Sequence, residues 1–136
     1  MFLTYKNKKS EFEILNTPKA NLKVISGEDS KNKLIQGNNL AVLKSLIEDY
    51  DLKGKIDLIY IDLPFATNTD FKIGERTSTI SSSILDEIAY SDTLVGADFL
   101  EFLRERLILL RELLSERGSI YLHIDYKIGH YVKLIM

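Results

Sequence analysis

Apolar and polar positions divide the chain into elements before any chemistry is considered. From Asn39 to about Tyr50 the residues Leu40, Val42, Leu43, Leu46 and Ile47 recur at helical spacing, and Asn38 or Asn39 stands where a side-chain oxygen can cap the first turn. Ile56 to Ile61 is a short apolar run that reads as a buried strand and ends in Asp62-Leu63-Pro64-Phe65. From Asp98 to Arg117 the residues Phe99, Leu100, Leu103, Leu107, Leu110 and Leu114 form one broad helical stripe. Asp98 is the expected N-cap, and Gly118 stands where a left-handed C-cap is wanted. A second apolar strand runs from Gly118 to Asp125, and Tyr126 to Met136 begins a further helical pattern and breaks off within it.

The remaining sequence is punctuation and loop. Residues 1–32 are polar with short apolar patches such as Leu22-Lys23-Val24-Ile25, broken by Pro18 and Gly27, and predict an irregular N-terminal arm ahead of a second unit at 33–136. Residues from about 66 to 97, rich in Thr and Ser, predict a loop far longer than the usual connection in α/β proteins. Loops of that length are functional lids or disordered. Helix, strand, helix, strand in that order predicts an α/β protein whose strands lie parallel. Asp62 then falls at the carboxyl edge of the sheet, where open α/β folds bind ligands.

On these residues the chain resembles the amino-methylating DNA methyltransferases of restriction-modification systems. Their signature, Asp-Pro-Pro-Tyr or Asp-Pro-Pro-Phe at a strand end, stands here as Asp62-Leu63-Pro64-Phe65. The resemblance extends over Leu34-Ile35-Gln36-Gly37-Asn38-Asn39-Leu40, over Phe99 to Leu107 and over Gly118 to Asp125, and four blocks in order are far more specific than one tetrad. Their wording is most similar to type III modification subunits. The resemblance implies a partial Rossmann-like fold dependent on S-adenosylmethionine, with an incomplete parallel sheet and flanking helices. Such enzymes are several times longer and carry a Phe-x-Gly-x-Gly block and a target-recognition region that do not occur in these 136 residues. Residues 33–136 are therefore expected to be the N-terminal portion of a catalytic domain, inactive alone or completed by a second, downstream fragment, and binding S-adenosylmethionine weakly or not at all in isolation.

The implied chemistry explains the tetrad. The exocyclic nitrogen of adenine is a poor nucleophile because its lone pair is delocalised into the ring. By match, the Asp62 carboxylate and the Leu63 carbonyl accept its two hydrogens and free that lone pair, while Phe65 stacks on a base flipped out of the duplex, a contact worth about 1–3 kcal/mol. Asp62 in the first position favours adenine N6 over cytosine N4, where Ser is usual. Two departures stand out. Leu63 replaces a proline, which leaves the acceptor carbonyl but frees φ, although Pro64 still biases Leu63 toward extended backbone. Asn38 replaces an aspartate that contacts the cofactor in several relatives, so the cofactor-binding candidates are Asn38 and Asp62, with helix capping as the plainer role of Asn38. Lys72 and Arg76, in the long loop, are candidates for phosphate contacts. For His123 a satisfied position within the strand is the more frequent role.

Composition narrows the partners. With 45% apolar and 28% charged residues the chain is a globular piece, and no apolar run approaches the roughly 18 residues of a membrane span. It has no cysteine and no basic-then-apolar leader, so the cytoplasm is the expected location and no disulfide forms. Two histidines without cysteines imply no metal site. A net charge of −2 lacks the basic footprint of a self-sufficient DNA binder, so most contacts to double-stranded DNA are expected from other sequence, and a restriction subunit is a possible partner. Two other classes stay open: a non-catalytic remnant, and an interaction module whose incomplete sheet pairs with a second polypeptide or another copy.

Overall fold

A computed structural model describes residues 3–27, 32–63, 70–73, 78–79, 87–91 and 96–136. Its elements in chain order are α1 (Glu11–Leu15), α2 (Asn39–Glu48), β1 (Ile56–Asp62), β2 (Asp70–Ile73), β3 (Ser78–Thr79), β4 (Glu87–Ser91), α3 (Gly96–Leu113), β5 (Leu114–His123) and α4 (Tyr126–Ile135). β1 and β5 pair in parallel, as the α/β order predicts, while β2 pairs antiparallel with both β3 and β4 in a separate sheet. The fold is thus mixed helix and strand with a two-stranded parallel sheet.

Three short strands occupy part of the stretch expected to be one long loop. Polar and apolar residues alternate in Asp70-Phe71-Lys72-Ile73 with the period of a strand, and Glu87-Ile88-Ala89-Tyr90-Ser91 is a short apolar run with polar ends. Runs of four and five residues are easily lost among the neighbouring serines and threonines.

Alternation along β1 and β5 divides the parallel pair into two unlike faces. Ile61 and Leu63, with Ile120 and Leu122, pack on a core of Phe99, Leu103, Leu107 and Val132 from α3 and α4. On the other face Leu58, Tyr60 and Tyr121 remain 62%, 67% and 60% exposed. α3 buries a second side as well: Ile108 and Leu109 meet Ile14 of α1, with Leu40, Leu43 and Ile47 of α2 around them. This helix is the hub of the described structure because both clusters converge on it.

The two ends of α3 differ from the sequence expectation. Asp98 lies within the first turn of a helix that begins at Gly96, where its charge suits the positive end of the helix dipole. At the other end the helix stops at Leu113, and the carbonyls of Glu112 and Leu113 accept from the backbone N–H groups of Gly54 and Lys55 at 2.9 and 3.0 Å. These amides, rather than a left-handed glycine, satisfy the terminal carbonyls. Gly118 serves another purpose. The register jumps from Ile56↔Leu114 to Leu58↔Ser119, and in that bulge a Cβ on Gly118 would lie 2.7 Å from Leu114 Cδ2 and 2.8 Å from the Ile56 carbonyl oxygen. Only a residue without a side chain lets β5 approach β1 there.

The N-terminal arm is more ordered than its composition suggests. Ser10 and Glu13 form a reciprocal capping box on α1, the Ser10 hydroxyl accepting from the Glu13 amide and the Glu13 carboxylate from the Ser10 amide. The arm is fastened to α3 by Tyr5 Oη donating to Glu101 at 2.5 Å, by the Lys9 amide donating to Glu101 at 3.0 Å, and by the Lys9–Glu105 and Arg111–Glu11 ion pairs. It is fastened to α2 by the fully buried Ser45, whose hydroxyl donates to the Ala20 carbonyl at 2.7 Å.

Burial, reinforced by the hydrogen bond to Glu101 and by its charge, pushes the Tyr5 phenol up to about 12. The phenol of the unfolded chain ionises near its model value of 10.0, so the neutral form is favoured by folding. Its contribution is complete below pH 10 and is lost as pH rises toward 12. Chemical denaturation at a series of pH values should show stability falling across that window, and Tyr5→Phe should flatten this component of the decline. An equal decline in both proteins would place its origin elsewhere.

Candidate active site

Of the residues singled out in the sequence, Asp62 and Leu63 lie at the carboxyl edge of the parallel pair. Asp62 is the last residue of β1, and its register partner is His123, the last residue of β5. The imidazole Nδ1 lies 3.3 Å from Asp62 Oδ1, and both side chains are more than half exposed. An exposed carboxylate at this edge is a hydrogen-bond acceptor and an attractor of cations. Leu63 follows with its side chain packed against the Phe99, Leu103, Leu107 and Val132 core. A leucine at this position therefore anchors the strand end by packing, where a proline would restrain it through its ring. Pro64, Phe65 and Arg76 lie outside the described residues, and of Lys72 only the backbone is described, paired with Thr79 and Ile88 in the antiparallel sheet.

The Gly37-Asn38-Asn39 turn is built by three separate devices. Gly37 holds φ at +153°, and Asn38 is extended. The Asn38 side-chain oxygen accepts from the Leu40 and Ala41 amides at 3.0 and 3.5 Å, which makes Asn38 the N-cap of α2. Asn39 is held by Arg106, whose Nε donates to Asn39 Oδ1 at 2.7 Å. The guanidinium also donates to the Phe102 carbonyl at 2.6 Å and lies over the Phe102 ring, 3.4 Å from its centroid, with only 9% of the residue exposed. Burial pulls the Arg106 guanidinium down from its ordinary value, and the Glu105 charge opposes that shift. Arginine still remains protonated at such a site.

Sequence reasoning missed the Arg106–Asn39 contact. The available signal was a charged residue lodged in an apolar helical stripe, with an aromatic residue four positions earlier on the same face. It also gave little weight to His123, which the strand register sets beside Asp62. Two hollows among the described residues lie away from this edge. One, of about 140 Å³, is lined by residues including Leu107, Leu114, Ile120 and Ile135. The other opens between Gly54, Asp57 and Ser115. No group of three or more metal-ligating side chains occurs among the described residues, and no described helix is long and apolar enough to cross a membrane.

The DNA methylase family model matches residues 56–136, and the chain belongs to that family. Among curated relatives, it is 38% identical over 99 residues to the type II methyltransferase M.EcaI of Enterobacter cloacae, covering 73% of this chain and 19% of the relative. It is 33% identical over 111 residues to a probable type III restriction-modification enzyme HindVI Mod subunit of Haemophilus influenzae, covering 81% and 12%. With the type III EcoP15I Mod subunit of Escherichia coli the identity is 31% over 122 residues, covering 79% and 19%. The match thus extends over less than a fifth of each of these relatives.

Proposed function

We propose that residues 33–136 are the N-terminal portion of the catalytic domain of a DNA adenine N6-methyltransferase from a restriction-modification system, Rossmann-like in fold, with residues 1–32 as its N-terminal arm. The observation that carries the reading is Asp62 with the Leu63 carbonyl at the carboxyl edge of the parallel pair, inside the stretch matched by the family. The Asp62 carboxylate and the Leu63 C=O accept the two amino hydrogens of a flipped adenine, which turns the nitrogen lone pair out of the ring. Phe65 stacks on the base, Pro64 keeps Leu63 extended, and Lys72 and Arg76 meet backbone phosphates. The duplex is the substrate, the cytoplasm the location and a restriction subunit the natural partner.

S-adenosylmethionine supplies an electrophilic methyl group when bound. The residues present suit its positive charge, since Asp62 offers an exposed carboxylate at the strand end. Asn38 is the second candidate contact. Its oxygen is engaged by the α2 amides, so the side-chain NH₂ is the group left to reach a ligand.

A second reading, an interaction module, is favoured by one observation. Parallel sheets are normally covered on both faces, yet Leu58, Tyr60 and Tyr121 leave one face of β1 and β5 bare. Another polypeptide or another copy of the chain would cover it.

Calorimetric titration with S-adenosylmethionine, of the chain alone and mixed with the polypeptide encoded immediately downstream, tests the proposal. Binding is expected chiefly in the mixture. There Asp62→Ala should weaken it about tenfold or more, the loss of a contact to a charged group costing about 1.5–3 kcal/mol. Tight binding by the chain alone would overturn its dependence on a second piece, and no binding in either sample would favour the interaction module.

A further inference from the structure

We propose that His123 is a positioning residue for Asp62, holding one carboxylate oxygen so that the other faces the amino group to be methylated; the functional part of this inference rests on the reading above. The register pairs the two residues at the last step of the parallel ladder, so their Cα positions are fixed by backbone hydrogen bonding on both strands. At 3.3 Å, Nδ1 is within reach of Oδ1. Alternation places both side chains on the face that carries Tyr60 and Tyr121, away from the α3 and α4 core.

A carboxylate has two oxygens and several lone pairs, and an exposed one rotates freely. An acceptor of a single N–H hydrogen works best when one oxygen is held and the other is aimed. An imidazole on the neighbouring strand does this because it donates through one nitrogen from a planar ring with few rotamers. The Leu63 carbonyl, the second acceptor, is already fixed from the opposite side by packing of its own side chain. The two acceptors are thereby constrained independently, Leu63 through the core and Asp62 through His123. With 58% and 69% of the two side chains exposed, the pair adds little to stability, so its removal tests geometry rather than folding.

Nitrogen-15 NMR of the neutral imidazole reads the pairing whether or not the chain is active. In the wild type the neutral ring should carry its hydrogen on Nδ1. In Asp62→Ala it should move to Nε2, the form favoured by free histidine. A wild-type ring protonated on Nε2, or one unchanged in Asp62→Ala, would overturn the pairing.

Methyl transfer to unmethylated plasmid DNA, by the chain with its downstream polypeptide, reads the positioning. His123→Ala should lower kcat about tenfold or more with KM for DNA unchanged, since misplacing a reacting group by an ångström costs about 100-fold. His123→Asn, whose side-chain NH₂ reaches toward the same oxygen, should recover part of the rate. Unaltered kcat in His123→Ala would sink the positioning role. Absence of methyl transfer in every protein, wild type included, would overturn the methyltransferase proposal and with it the positioning role, while the NMR result decided the pairing separately.

Discussion

Leu109→Ala is expected to lower the unfolding free energy by about 2–5 kcal/mol, the range for emptying a fully buried leucine site. Leu109 has no exposed surface, and its neighbours belong to three helices: Ile108 beside it on α3, Ile14 on α1, and Leu40, Leu43 and Ile47 on α2. Collapse around the missing atoms would require α1 and α2 to move together, so the cavity is expected to persist and the cost to fall in the upper part of the range. A domain of this size is stable by about 5–15 kcal/mol, so the variant should be markedly weakened. Urea denaturation checks the figure, with Leu110→Ala as the milder control because Leu110 is only partly buried. A loss below about 1 kcal/mol for Leu109→Ala would mean that α1 and α2 are not packed on α3 in solution.

Arg106→Ala should destabilise to a comparable extent by a different route. Its removal deletes the hydrogen bond to Asn39 Oδ1, worth about 0.5–1.5 kcal/mol because Asn39 is exposed and water can replace the donor, and a cation–π contact worth about 0.5–2 kcal/mol. Arg106→Lys should rescue little, because an ammonium cannot stack flat on Phe102 while donating sideways to Asn39 and to the Phe102 carbonyl. Arg106→Met retains the packing volume without the donors and separates the two contributions. Denaturant midpoints of the three variants check the order. Equal stability of Arg106→Lys and the wild type would show that charge alone matters at this site. Because Asn39 opens α2 directly after the Asn38 cap, hydrogen exchange at the Leu40 and Ala41 amides should quicken in Arg106→Ala.

The sequence was most legible where one periodicity ran uninterrupted. The Leu40-Val42-Leu43-Leu46-Ile47 spacing marks α2 and the Asn38 cap closely, and the Ile56 run marks β1, because each element has one buried face and an ordinary start signal. The second buried side of α3 was not legible. Ile108 and Leu109 fall off the main stripe, and their burial depends on Ile14, nearly a hundred positions earlier in an arm whose composition reads as polar. Gly118 was recognised as special for the wrong reason: a helix followed by glycine suggests a left-handed cap, whereas here strand approach excludes a side chain. The place of Asp62 and Leu63 at the carboxyl edge of the sheet could be read from their motif and the order of elements. The neighbouring His123 could not, since strand register is a property of pairing and is not written in either strand alone.

The fastening of the arm has a consequence for how the protein is made. Tyr5 and Lys9 find their partners at Glu101 and Glu105, 96 positions later, and Glu11 pairs with Arg111, 100 positions later. Chains emerge from the ribosome at about 5–20 residues per second, so Tyr5, Lys9 and Glu11 wait roughly 5–20 s for the helix that receives them. During that interval α1 has its capping box and its contacts with α2 but none of its ties to α3, and a five-residue helix is not stable by itself. The arm is thus made well before the helix that receives it and settles only after α3 appears, and a nascent chain interrupted before α3 would expose the arm to proteases and chaperones.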